Sequence, residues 1–191
     1  IQWAVINGET ETGLTTFFIE KEIDTGLILL QTRLTINPEM TAGELHDAML
    51  APGAELVLKT LDGIENGNLR PLPQDLQLAR HVAPKLTPES ARIDWSRPAG
   101  QVHDFIRGLS PTPCAWTTMD GERFKIYRSS MASDLSDAAP AGTLVCVDGR
   151  RLLAATQSGW LELLEVQSEG RKRMGADEFV RGHHQAIKQL V

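Results

Sequence analysis

The run Leu14-Thr15-Thr16-Phe17-Phe18-Ile19, then Glu20-Lys21-Glu22-Ile23-Asp24-Thr25-Gly26, then Ile28 to Ile36, decides how the first part of the chain is read. Its opening six residues are β-branched and aromatic, which predicts a buried strand. In the closing segment Ile28, Leu30, Thr32, Leu34 and Ile36 alternate with Leu29, Gln31, Arg33 and Thr35. That period of two predicts a second strand with one better-buried face. Between them lies a loop from Glu20 to Gly26, where functional groups tend to be carried. Gly26 lets the backbone turn sharply or approach a ligand, and Asp24 can serve chemistry or simply make an Asx turn with its own backbone.

Outward from this unit, Thr41-Ala42-Gly43-Glu44 has the form of a capping box opening a helix, with Leu45 and Met49 on its apolar face. Pro52 lacks a backbone donor, so a second helix is expected to start there. Val57, Leu61 and Ile64 share one side of that helix and Gly67 closes it. From Asn68 to Pro88 the periodicity is lost and Pro71, Pro73, Pro84 and Pro88 punctuate a linker. Then comes a helical pattern over Pro98 to Gly108. It is followed by short strands at Ala115–Met119, Arg123–Arg128, Thr143–Val147, Leu152–Thr156 and Trp160–Gln167, and by a last helix over about Ala176–Gln189. Closely spaced strands imply a small barrel or sandwich. The expected organisation is the end of an α/β unit over 1–70, a linker over 71–88 and a small β-rich domain over 89–191. The chain begins at Ile1 within an apolar pattern, so it is read as a fragment.

Apolar residues make up 41% and charged residues 23% of the chain, as in ordinary globular proteins. No apolar run approaches the roughly 18–20 residues of a membrane span. The net charge of −6 is unevenly held. Residues 1–88 carry 6 Lys/Arg against 12 Asp/Glu, whereas 89–191 carry 13 of each, 10 of the cations being Arg. An acidic half beside a neutral, Arg-rich half hints at anion contact at one end but excludes a dedicated, strongly basic nucleic-acid binder. Cys114 and Cys146 fit no metal spacing and read as two buried free thiols. Arg92 and Arg107 can be structural, paired with Asp94 or Asp104. The four tryptophans read as core anchors.

Glu9 to Thr15, Ile23-Asp24-Thr25-Gly26 and Thr41 to Leu50 resemble the final third of a folate-dependent formyltransferase domain. Ala91-Arg92-Ile93-Asp94-Trp95, Phe105 to Pro111 and Ala115-Trp116 resemble the C-terminal domain of the methionyl-tRNA formyltransferases. These motifs follow the family's order and cover almost the whole chain. The resemblance implies a Rossmann-like domain followed by an OB-like β-barrel. It implies transfer of a formyl group from 10-formyltetrahydrofolate to the α-amino group of initiator methionyl-tRNA, in a monomeric, cytoplasmic enzyme with no metal and no membrane contact.

Such a transfer needs a base and oxyanion donors, which the family supplies with an Asn, a His and an Asp. Asp24 matches the Asp, whose implied role is to hold the His protonated and to organise water for proton transfer. Glu22, Ile23 and Gly26 match the backbone against the folate. Leu27 stands where many relatives carry a second Asp, so that position receives no role. The family's Asn and His belong to an earlier stretch with no match here, and none of the five histidines replaces them. For tRNA, Lys85 in the linker and Arg171-Lys172-Arg173 after Gly170 match basic positions whose phosphate contacts would weaken with salt. Two other readings stand beside this one: a non-catalytic RNA-binding module, and a sugar N-formyltransferase acting on a nucleotide sugar.

Overall fold

A computed structural model describes residues 1–75, 81–133, 139–182 and 187–190. The chain opens with a short helix, α1 (Gln2–Ile6), which has no side-chain cap. An antiparallel hairpin follows, β1 (Glu11–Phe17) with β2 (Ile28–Thr35). In β2 the even-numbered residues from Leu30 on are better covered than their neighbours, but the one buried residue of the strand is Leu29, on the other face. The buried-strand expectation for Leu14–Ile19 needs correction. The strand starts and ends earlier, holds no fully buried residue, and leaves Phe18 and Ile19 exposed. Only one face of a two-stranded sheet can be covered by a single helix.

That helix is α2 (Ala42–Glu65). Its capping box forms as expected: Glu44 N–H donates to Thr41 Oγ1 at 3.2 Å and Thr41 N–H to Glu44 Oε2 at 2.8 Å. The expected break at Pro52 does not occur, and one helix runs through it. A proline deletes one backbone bond, and burial of Leu45, Met49, Leu56 and Thr60 along one face outweighs that loss. Thr60 Oγ1 donates to the Leu56 carbonyl at 2.7 Å and lies 2.8 Å from Thr16 Oγ1, a hydroxyl contact that ties β1 to α2. Val57, Leu61 and Ile64 do share a side, but it is the exposed one, together with Leu50 and Leu58.

The second part starts with α3 (Ala99–Leu109) and continues as β3 (Ala115–Met119), β4 (Glu122–Ala132), β5 (Thr143–Val147), β6 (Arg151–Ala155), β7 (Trp160–Ser168) and β8 (Met174–Gly175), then α4 (Ala176–Gly182) and β9 (Ile187–Gln189). The strands form one antiparallel sheet in the order β3-β4-β7-β6-β5-β9, with β8 on β7. A bridge between Met119 and Leu190 returns the end of the chain to β3. The long last helix is corrected: α4 ends at Gly182, and Ile187–Gln189 pairs with β5 instead. Residues 183–186 of that expected helix lie outside the described ones. The main core is built on Ile106, Leu109, Phe124, Ile126, Leu161 and Leu163. A smaller core around Val5, Ile36, Leu45 and Met49 underlies the hairpin.

The two parts are joined through packed polar groups. Arg107, 5% exposed, pairs with Asp104 at 2.6 Å and donates to the Met40 carbonyl at 3.1 Å. Gly43 N–H donates to the Ser110 carbonyl at 3.0 Å, and Arg128 pairs with Glu44. A register shift in β4 beside Arg128 turns its side chain toward α2. Buried His103 contacts Ser129 Oγ at 3.1 Å and the Pro38 carbonyl at 3.2 Å. Gly108 allows α1 to lie against α3, because a Cβ there would sit 2.5 Å from an Ile6 side-chain carbon.

Cys114 is buried, whereas Cys146 is only half-buried, so the expectation of two buried thiols holds for one. Burial pushes the Cys114 thiol up to about 11 from an ordinary 9.0, against smaller opposing effects from nearby Lys125 and Arg173. Its contribution to stability is therefore present below pH 9.0 and lost as the pH climbs toward 11. In mildly alkaline buffer a thiol reagent is expected to modify Cys146 readily and Cys114 only after denaturation, as mass mapping of the labelled peptides would report. Equal rates at both would contradict the burial of Cys114.

Candidate functional site

The loop between β1 and β2 is closed by its backbone. Phe18 N–H donates to the Leu27 carbonyl at 3.2 Å. A Cβ on Gly26 would stand 1.6 Å from the Phe18 carbonyl oxygen, so no side chain fits there. The sequence reading of Gly26 as a close-approach residue is explained by this contact with Phe18. Thr25 Oγ1 caps the Glu22 carbonyl at 3.1 Å. From the linker, Gln74 Nε2 donates to the Asp24 and Gly26 carbonyls at 2.7 and 2.8 Å. Gln74 was not singled out in the sequence. A clamp from about 50 residues away leaves no local pattern to read.

Asp24 stands at φ +57, in the left-handed region that Asp tolerates better than most residues. It is exposed, and among the described residues its carboxylate accepts no hydrogen bond. The Asx-turn reading is thus not what shapes the loop, and the carboxylate is left to face outward. Glu22 is exposed too, and Ile23 is 89% exposed, an apolar side chain with nothing of this chain over it. Among the described residues no histidine makes a hydrogen bond or ion pair with the loop. His46 lies on α2 beside Asp47, and His103 is held between the two parts. Among the described residues no group of three His, Cys, Asp or Glu is placed to hold a metal ion, and no helix is long and apolar enough to cross a membrane.

The basic turn lies elsewhere, between β7 and β8. Gly170, at φ +67, makes the reversal, and Gln167 Nε2 holds the Arg171 carbonyl at 2.7 Å. The three cations differ. Arg173 pairs with Glu165 and lies 4.2 Å over the Tyr127 ring, so it is partly engaged in structure. Arg171 and Lys172 are exposed and have no ion pair among the described residues. Lys85 is exposed on a linker fixed at both sides. Trp3 Nε1 donates to the Pro84 carbonyl at 2.7 Å and Trp116 Nε1 to the Pro88 carbonyl at 2.6 Å. Trp95 and Trp160 are core anchors as expected, whereas Trp3 and Trp116 are only half-buried. Arg107 pairs with Asp104 as expected, but Arg92 does not pair with Asp94, which bonds Ser96 and Arg97 instead.

Comparison with known proteins places this geometry. The model described as formyl transferase matches residues 1–61, and that described as formyl transferase, C-terminal domain, matches 85–184. A protein of Chlorobium chlorochromatii named methionyl-tRNA formyltransferase is 45% identical over 186 residues, 96% of this chain and 59% of its own length. One of the same name from Bacteroides fragilis is 42% identical, with the same shares covered. The chain thus spans about three-fifths of the length of the curated relatives it matches. Among solved structures, HypX from Aquifex aeolicus in complex with tetrahydrofolic acid superposes with a TM-score of 0.69 at 19% identity, over 94% of this chain and 31% of that one. The sugar 3N-formyl transferase WlaRD superposes with a TM-score of 0.67 at 20% identity, over 89% and 59%. With the C-terminal model alone matching more than half of its residues, the chain belongs to the formyl transferase family.

Proposed function

We propose that the protein represented by this chain transfers the formyl group of 10-formyltetrahydrofolate to the α-amino group of initiator methionyl-tRNA, in the cytoplasm and as a monomer. One observation carries the choice of acceptor: identity of 45% across 96% of the chain to a protein of that name. In this reading residues 1–70 close a Rossmann-like formyltransferase domain, 71–88 are the linker and 89–191 form an OB-like barrel. The Met119–Leu190 bridge supports the last of these, since it brings the end of the chain back to β3.

The amine attacks the formyl carbon and a tetrahedral intermediate forms. The bond from carbon to N10 then breaks, and the amine proton ends on tetrahydrofolate. Asp24 carries the negative charge that steadies a protonated His and orders the water that moves the proton. The Glu22–Gly26 backbone lies against the folate, with Ile23 offering the apolar contact. Lys85, Arg171, Lys172 and Arg173 meet tRNA phosphates. The Asn and His required beside Asp24 have no match in the 191 residues, so this chain assayed by itself is expected to give no turnover. The deciding assay offers methionyl-tRNA and an amino-sugar nucleotide in parallel to an enzyme that carries these residues across the full length of its relatives. Formyl-methionyl-tRNA is the expected product, and formylation of the sugar alone would overturn the assignment.

A further inference from the structure

The linker after α2 returns to the Asp24 loop and meets it twice. Leu72 lies antiparallel to the first residue of β2. Ile28 N–H donates to the Leu72 carbonyl at 2.8 Å, and Leu72 N–H to the Ile28 carbonyl at 2.9 Å. Two residues further on, the Gln74 side chain reaches into the loop. Its Nε2 stands 2.7 Å from the Asp24 carbonyl and 2.8 Å from the Gly26 carbonyl. Both partners are acceptors, so only the amide nitrogen can face them, and its two N–H groups are both engaged. Farther along the linker, His81 Nε2 lies 3.4 Å from Glu9 Oε1 and the Pro84 carbonyl accepts from Trp3. The strap is therefore anchored on the first part of the chain beyond Gln74 as well as before it.

The clamp falls where the loop needs it. Asp24 stands at φ +57, a region that residues other than glycine enter at a cost unless a hydrogen bond offsets it. Its own carboxylate supplies no such bond among the described residues. Thr25 Oγ1 ties back to the Glu22 carbonyl and so braces the near side of the loop. Gly26, pressed against Phe18, fixes the far side. Between these two points the Asp24 carbonyl is held by Gln74. A carbonyl oxygen is rigid within its peptide plane, so holding it sets ψ at Asp24. With φ and ψ both set, the direction in which the Asp24 side chain leaves the backbone is set too.

We infer that Gln74 is a positioning residue for Asp24, and that the linker serves as a strap which aims the carboxylate at the reacting groups. This rests on the reading of Asp24 given above and adds to it the group that holds the acid in place. Gln74 touches neither co-substrate in this account and acts only through the loop. Such a brace matters because the acid sits on a loop rather than on a helix or strand. A displacement of about 1 Å in a group that serves the reacting centre can cost about 10²-fold in rate.

Two measurements test this. The first uses an enzyme that carries these residues across the full length of its relatives. Gln74→Met keeps the length of the side chain and removes both donors. It is expected to lower kcat about 10–100-fold at saturating folate, with KM for tRNA unchanged. Gln74→Glu turns acceptors toward two carbonyls and should lower kcat further. Added to Asp24→Asn, Gln74→Met should leave kcat where Asp24→Asn alone leaves it, because a residue acting through a carboxylate has nothing to aim once that charge is gone. The second measurement uses the 191-residue chain itself. Trypsin should cut after the exposed Lys21, inside the loop, about tenfold faster in Gln74→Met than in wild type, while cuts elsewhere keep their rates. Faster cutting at every site alike would mean that Gln74 supports the fold at large, and unchanged cutting after Lys21 that it does not hold the loop; either overturns the inference. If Asp24→Asn lowers kcat and Gln74→Met does not, or if the two losses multiply, Gln74 does not aim the carboxylate and the reading of Asp24 stands. If neither substitution lowers kcat, both fall.

Discussion

In an enzyme carrying these residues across its relatives' full length, Asp24→Asn is expected to lower kcat by about 10²–10⁴-fold, with KM for tRNA little changed. The substitution suits the site. Asn tolerates φ +57 about as well as Asp, and the carboxylate supports no hydrogen bond that shapes the loop. The loop is held instead by Gln74, by Thr25 and by the tight approach of Gly26 to Phe18. The thermal melt should therefore be unmoved while the charge beside the family's imidazole is lost. A His deprived of that charge holds its proton less well, so the alkaline limb of the pH–rate profile should also move to lower pH. Turnover within a few-fold of wild type would remove Asp24 from the chemistry. A lowered melt would mean that the residue acts on the fold.

The largest expected effect on stability is at Arg107. Arg107→Met keeps the buried stem but deletes the bonds to Asp104 and to the Met40 carbonyl, and leaves Asp104 without its buried partner. Breaking such a pair from one side costs about 3–5 kcal/mol. Urea unfolding followed by circular dichroism would read this as a lower midpoint. Arg107→Met with Asp104→Leu should cost clearly less than the two single changes added together, because the uncompensated charge is then gone. A loss under about 1 kcal/mol for Arg107→Met would show that Arg107, through its bond to the Met40 carbonyl, does not clasp α3 to the segment before α2.

Several features were legible because they are local. The capping box at Thr41, the alternation in β2, the strand at Ala115–Met119 and the glycine-hinged loop each depend on residues within a few positions of one another. Periodicity also grouped Val57, Leu61 and Ile64 correctly on one side of α2, but it could not say which side is covered. Burial is a property of the neighbour and not of the helix.

By itself, then, the sequence determined most of the strands and their order, the family-like loop around Asp24 and the uneven distribution of charge. Only tertiary structure decided that α2 runs through Pro52 and that the end of the chain forms a strand on β5. It alone showed that Gln74 braces the loop and that Arg173 is engaged with Glu165 and Tyr127. The division has one physical cause. Backbone preference and short-range capping are fixed within a few residues, whereas the fate of a proline, a charge or an indole depends on partners brought close only after the chain has folded.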